Sequence, residues 1–565
     1  MTVLILGAGI IALSQNRVAT STTAVGKNGV VVSTQHEASE VGLNILKQGG
    51  NAIDAAIAVG YALAVTDPCC GNLGGGGFML IHLANGQETF LNFREKAPQA
   101  ATQDMYLDSE GKVIPRLSTR GYRSVAVPGT VLGLEQARTL YGTLSRSALM
   151  APAIELAERG FILQPGDINI LNDETEEFLQ EPNVAAIFLK NGQTPYQVGD
   201  RLVQTDLAQT LKLIAKSGAD AFYRGPIAAK VVQASAASEG ILTLEDFANY
   251  TVSQAPPVHC NYRGYEVISS PPPGGGTTLC QMLNILNGYP LEKLGFRTAA
   301  SLHPMLSAML YAYADRNTYL GDPDFVTNPV DRLLSPAYAA QIRAKIPRDR
   351  AIPPEQLYRS TPPQEGTQTT HYSVQDRYGN AVAVTYTING YFGARVIAGD
   401  SGFFLNNEMD DFTSKPGSAN IYGLVQGSAN VIAPGKRPLS SMSPTIVLNK
   451  GKNRSKVFLV TGSPGGSTIP TTVLQIITNL IDYGMTLSAA VSTPRIHYQG
   501  LPNRVGVEPN ALKLETISQL WKMDYKVIPT PFVWGAAESI LTNPDTGEFN
   551  GVNDPRKPAG KAVAY

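Results

Sequence analysis

The chain has 565 residues, 45 of them Lys or Arg against 46 Asp or Glu. So even a balance leaves no electrostatic footprint for nucleic acid or an anionic membrane, and a charged fraction of 16% beside 54 Gly and 38 Pro excludes a coiled coil and a disordered scaffold. The length admits about two to four domains, yet no long low-complexity linker divides the sequence, so one large compact α/β unit is expected.

The first residues offer two incompatible readings. As a strand followed by Gly7-Ala8-Gly9 and Ala12 they imitate a dinucleotide-binding turn, but no clear amphipathic helix, second strand or acidic residue about 20 positions on completes that unit. No cofactor is expected. The apolar run 3–13 reads better as a degenerate export signal, without a basic residue before it and too short to span a bilayer. Residues 1–28 are therefore set apart as leader or disordered N-terminus, with a periplasmic or secreted location expected. Cys69, Cys70, Cys260 and Cys280 form no CxxC pair and read as buried small hydrophobes, with a Cys260–Cys280 bridge as the open alternative. The six His show no HExxH or close pairing, so no metal is expected.

Residues 29–34 (GVVVST) predict a buried strand, 37–48 a helix, and 52–65 a second helix so apolar that it belongs in a core. Four consecutive glycines, Gly74 to Gly77, require either positive φ or close backbone packing; with no GK[ST] after them they are no phosphate loop. Strand 78–82 and a hairpin at Asn85-Gly86 lead to FREKAP, where Arg94 at a strand end suits a carboxylate clamp or a surface salt bridge. Helices are predicted over 129–140, 147–158, 204–216 and 300–320, and strand 264–269 closes in PPPGGG, a rigid turn into a helix starting near Thr277. Helices and strands mixed without strict βαβ alternation predict stacked layers rather than a barrel.

Gln368 to Ser373 follow a loop rich in Pro, Gly and Gln and open a hairpin, TTHYSVQD-RYGN-AVAVTYTIN, whose second strand brings Thr385, Thr387 and Asn389 back alongside. A backbone cut before Thr369 would give one residue both a hydroxyl nucleophile and, on its own α-amine, a general base. A strand is expected over 401–405, then an acidic cluster, Glu408 to Asp411, suited to Ca²⁺, a substrate ammonium or water but without EF-hand spacing. Residues 415–435, with Tyr422 inside, have the length and Gly/Ser/Asn content of a lid. Strands 446–448 and 457–460 follow. The turn GSPGGS then precedes helix 470–481, and its paired glycines either aim N–H groups at one point or serve the turn alone.

Taken together and in this order, NLGGGGFML, FREKAP, YADRNTYLGDPDF, QTTHYSV, AVTYTIN, LNNEMDDF, KRPLSSMSPT and TGSPGGS make the chain resemble the γ-glutamyltransferases, or glutathione hydrolases, from about Gly29 to the C-terminus. The resemblance implies an α+β, N-terminal nucleophile hydrolase fold, a four-layer αββα sandwich. It implies a precursor that cuts itself between Gln368 and Thr369 into a large chain (29–368) and a small catalytic chain (369–565), which stay together as a heterodimer. Thr369 Oγ1 would attack the Gln368 carbonyl, the acyl group would shift from N to O, and water would free an α-amine with a reference pKa of about 7.7–8.0. Thr387 would orient the nucleophile, and Gly465 and Gly466 would form the oxyanion hole. Arg94 with Ser440 and Ser441 would receive the donor's α-carboxylate, while Asn389, Glu408 and Asp411 would receive its ammonium. Glu408 is a Gln in some relatives. Tyr422 resembles the lid residue that screens the site. The implied substrates are glutathione or other γ-glutamyl compounds as donors, with water or the amine of an amino acid or dipeptide as acceptor, in ping-pong order.

Two other readings stay open. An acylase of the cephalosporin or glutaryl type would share Thr369 and the cleavage, but its glutaryl group has no ammonium to match Asp411. An uncleaved, inactive paralogue acting as a binding protein is the other, and the intact Thr369, Thr387 and glycine pair speak against it.

Overall fold

Strict alternation along short strands builds the architecture. In the computed structural model, which describes residues 21–358, 369–450 and 455–565, the strand Gly29–Ser33 sends Val30 and Val32 to one face and Val31 to the other. Ala381–Thr387 does the same, with Ala381 and Ala383 opposite in sense to Val382 and Val384. Period-two side chains can bury both faces only if each face meets another layer.

Those layers are two seven-stranded antiparallel sheets. One runs Lys561–Ala564, Gly29–Ser33, Thr370–Asp376, Ala381–Thr387, Gly76–His82, Glu88–Asn92, Ser253–Ala255. The other runs Thr23–Gly26, Phe549–Val552, Ser539–Thr542, Ser455–Thr461, Thr445–Lys450, Tyr265–Ser269, Val258–Tyr262. Val30, Val32, Leu80 and Ala383 from the first meet Ile268, Ile446, Val460 and Ile540 from the second in one buried cluster between the sheets. The outer face of the first sheet is covered by helices that include His36–Lys47 and Ala52–Thr66, and that of the second by Gly276–Leu286, Ala299–Tyr319 and Ile469–Ile481. The result is the αββα sandwich. Ala52–Thr66 is buried along its whole length, and its start is fixed by a capping box between Asn51 and Asp54, worth about 1 kcal/mol.

The predicted elements before residue 401 appear within a residue or two of their expected ends. Four details differ or resolve an open choice. The second sheet reaches back to Thr23–Gly26, into the segment set apart as leader, because its backbone pairs with Phe549–Val552; residues 1–20 lie outside the described residues. Residues 401–405 form no strand, only isolated bridges at Phe404 and Leu405. Their apolar character serves aromatic packing instead: Phe404 stacks on Phe188 at 5.0 Å and Phe403 on Phe222 at 5.6 Å. The four glycines answer to close packing, since a Cβ on Gly74 would lie 2.0 Å from the Phe404 carbonyl oxygen and one on Gly75 1.9 Å from that of Thr387.

The cysteines correct the fourth expectation. They are buried, but none is free: Cys69 is bonded to Cys70 and Cys260 to Cys280. Cys260 sits on Val258–Tyr262 and Cys280 on the helix that crosses that strand, a proximity that a separation of 20 residues does not announce. Alkylation of the unfolded, unreduced protein is expected to label no cysteine, and prior reduction to expose all four to the reagent; mass spectrometry of the intact chain reads both.

Candidate active site

The hairpin register places the nucleophile. Thr370 pairs with Tyr386 in antiparallel register, so Thr369 stands opposite Thr387, and their hydroxyl oxygens are 3.3 Å apart with Thr369 as donor. Thr387 Oγ1 also accepts the Asn389 N–H at 2.8 Å, which fixes its lone pairs toward the nucleophile. Asn389 adopts φ +70°, a conformation that Asn tolerates better than most side chains, and so turns the chain out of the strand. The same loop is held from behind, where the Cys70 and Cys69 carbonyls accept N–H groups of Ile388 and Phe392 at 3.2 and 2.9 Å.

Neighbours that imitate catalytic groups have other duties. Thr370 Oγ1 is tied to Asp67 Oδ2 at 3.0 Å and to Thr34 Oγ1 at 2.8 Å on the helical side of the sheet. His371 lies between Thr385 and Ser373 hydroxyls, packed where Gly462 has no side chain. Burial pushes its imidazole down to about 3, so it is neutral at physiological pH and no proton donor. Asp67, Cys69 and Cys70 bring three potential ligand atoms within 4.8 Å of one another, but both sulfurs are spent in their mutual bond.

The strand Ser455–Thr461 delivers the glycine turn. Gly465 and Gly466 have φ of +131° and +54°, values that L side chains seldom adopt. Gly466 opens a 3₁₀ turn running into Ile469–Ile481, where helix N-terminal N–H groups lack intrahelical partners. The loop Leu439–Ser443 is propped by PPPGGG: Pro273 O accepts Ser440 N–H at 2.7 Å, and Met442 O accepts Gly275 N–H at 2.9 Å. That is the task of the glycines there, since a Cβ on Gly275 would lie 2.4 Å from Ser441 O.

Arg94 is buried, 1% exposed, and is no surface salt bridge. Its Nη1 faces Glu408 and Glu95, the latter at 3.6 Å, and its Nη2 faces Asp411. Burial works against its charge, but the three acids together outweigh burial and hold the guanidinium firmly ionised. Glu408 and Glu95 move the other way: burial raises Glu408 well above the carboxylate range and Glu95 to about 7, with Arg94 only partly opposing. The groups expected to grip the two ends of a zwitterion thus neutralise one another when no substrate separates them.

Tyr422 closes the site. It is buried, its hydroxyl donates to Asn389, and its ring occupies the space beside Gly466, where a Cβ would come within 2.4 Å of it. Asn420 organises that segment by accepting the Tyr422 and Leu424 N–H groups, and Asp410 accepts the Ile421 N–H at 2.9 Å. The lid is thereby anchored to the acidic cluster. What remains beneath it is a cavity of ≈ 20 Å³, enough for water and far too small for a peptide.

Every candidate residue except Gly465, which precedes Gly466, and Gln368, which lies outside the described residues, lines this one cavity. Sequence reasoning missed three participants: Glu95 beside Arg94, Asp410 under the lid, and Arg316, which lines the cavity from Ala299–Tyr319. All three stood inside quoted motifs, but Arg316, in YADRN, had no partner in sequence to mark it.

A threonine at the head of a strand in an αββα sandwich, with a partner hydroxyl and a glycine turn on the same cavity, defines an N-terminal nucleophile hydrolase. The sequence model described as Gamma-glutamyltranspeptidase matches residues 38–564, and the chain belongs to that family. It is 51% identical over 557 residues to a glutathione hydrolase proenzyme of Pseudomonas sp. (strain A14), covering 97% of this chain and 96% of that protein. It is 48% identical to the glutathione hydrolase proenzyme of Escherichia coli (strain K12) over 542 residues, covering 95% and 92%. Among solved structures, a cephalosporin acylase from Bacillus halodurans superimposes with a TM-score of 0.84 at 28% identity, covering 99% of both chains.

Proposed function

We propose that the chain is a self-processing γ-glutamyltransferase with glutathione hydrolase activity, mature as a large chain ending at Gln368 and a small chain (369–565) held in a heterodimer. The observation that carries this reading is the shared cavity, in which the Thr369–Thr387 hydroxyl pair lies with a guanidinium and an opposing carboxylate. A γ-glutamyl donor presents carboxylate and ammonium on one carbon, so it can replace the Arg94–Asp411 pair by a charge-neutral exchange.

With the lid open, Thr369 Oγ1 attacks the γ-amide carbonyl while the α-amine created by processing takes the hydroxyl proton. The oxyanion is met by the N–H groups of Gly465 and Gly466, each donor worth about 3 kcal/mol of barrier. The proton passes to the departing amine, leaving a γ-glutamyl ester on Thr369. Water or a second amine then attacks the ester, its proton returns through the α-amine, and Thr369 is restored. Arg94, Ser440 and Ser441 hold the donor's carboxylate, and Asn389, Glu408 and Asp411 its ammonium side. The reading also places the protein outside the cytoplasm, periplasmic or secreted, in keeping with two disulfides in a chain that has four cysteines.

The acylase alternative is tested directly. Purified, processed protein is expected to hydrolyse glutathione at least about tenfold more efficiently than a glutaryl amide, because only the former completes the exchange with Asp411. Faster turnover of the glutaryl compound would overturn the assignment.

A further inference from the structure

Arg316 is the charge in this cavity that the γ-glutamyl mechanism leaves without work. It is 1% exposed and reaches the site from Ala299–Tyr319, in the helical layer on the second sheet. Its Nη1 donates to Asn317 Oδ1 at 2.8 Å, its Nε is buried with no acceptor, and among the described residues no carboxylate pairs with it. A guanidinium has five donors and does not shed its proton in proteins. Burial lowers its affinity for the proton, with Asp411 opposing that effect and Arg94 adding to it, so both charges are felt at Arg316. An apolar side chain of similar length would pack the same helix without that desolvation cost.

The contrast with Arg94 is direct. Both terminal nitrogens of Arg94 already face acidic groups, whereas Arg316 keeps donor capacity for an incoming anion. Resting on the γ-glutamyl reading above, we propose that Arg316 binds a substrate carboxylate in this cavity, as a second arginine beside Arg94. Two carboxylates of a γ-glutamyl peptide could supply the anion: the α-carboxylate of the glutamyl group, or the C-terminal carboxylate of the departing peptide.

The test compares glutathione with a γ-glutamyl anilide, whose leaving group has no carboxylate, on processed parent enzyme, Arg316→Ala and Arg316→Lys. Both variants are expected to process. In Arg316→Ala, KM is expected to rise about tenfold or more with a smaller change in kcat, and Arg316→Lys to recover part of the loss. A rise confined to glutathione assigns the leaving peptide's carboxylate; an equal rise for both substrates assigns the α-carboxylate. KM values within about twofold of the parent for both substrates, or loss of self-cleavage in both variants, overturn the proposal. If the parent turns over neither compound, the γ-glutamyl reading fails by itself. Arg316 is then judged by calorimetric titration with glutarate: binding must weaken in Arg316→Ala, and equal binding overturns it.

Discussion

Thr369→Ala is expected to leave a single uncut polypeptide, 60.3 kDa for the full sequence before any leader is removed, with glutathione turnover reduced about 10⁴-fold or more. The variant removes the oxygen that the register sets against Thr387 and leaves every other candidate group in place. No neighbour can take over. The Thr370 hydroxyl is turned to the other face of the sheet by Asp67 and Thr34, and His371 is held neutral between two hydroxyls. Cleavage and turnover fail together because both begin with the same attack, and because the general base exists only once the peptide bond before Thr369 is cut. A hydroxyethyl side chain exchanged for a methyl at a buried strand head is a small change in packing, so thermal unfolding of the variant should stay close to that of the unprocessed parent. A denaturing gel and a glutathione assay decide it. A variant that still splits before residue 369 would show that another group performs the cleavage.

The elements were legible wherever the cause is local. Alternation in GVVVST and AVAVTYT, the capping box at Asn51 and the turn chemistry of PPPGGG each depend on neighbours a few residues apart. Residues 401–405 misled for the opposite reason, since a short apolar run fits a strand or an aromatic cluster equally well, and the deciding rings, Phe188 and Phe222, are about 200 residues away in sequence. The Cys69–Cys70 bridge was hidden likewise, and the Cys260–Cys280 bridge, an open alternative in the sequence, is decided only by a helix crossing a strand. At the site, residue identities were readable from the ordered motifs, but their state was not. That Arg94 is fully buried, that it pairs with the acids expected to face the substrate, and that Tyr422 seals the cavity are products of three-dimensional closure. The same holds for Arg316, whose meaning lies in what it fails to touch.

Arg94→Ala is expected to lower stability by about 3–5 kcal/mol at neutral pH, beyond its effect on substrate binding, because it strips a buried acidic group of its counter-charge. Glu95 and Glu408 are fully buried and Asp411 is 7% exposed, so water cannot replace the guanidinium. The loss should depend on pH in a defined sense. Burial already raises Glu95 to about 7 with Arg94 present, and raises Glu408 well above the carboxylate range; without the cation both rise again. A carboxyl whose folded pKa exceeds its unfolded value binds more protons when folded, so it contributes stability at pH below the unfolded value and loses it as pH rises through the folded one. The variant widens that window, and its deficit relative to the parent should shrink as pH falls from about 8 to 5, where protonation replaces the missing charge. Arg94→Lys is expected to recover only part, since one ammonium cannot face Glu408 and Asp411 with two separate nitrogens. Urea unfolding of the parent and both variants at the two pH values measures the gap. Equal deficits at both would mean that Arg94 acts through packing rather than through charge, and that the clamp is not the self-neutralised pair on which substrate exchange depends.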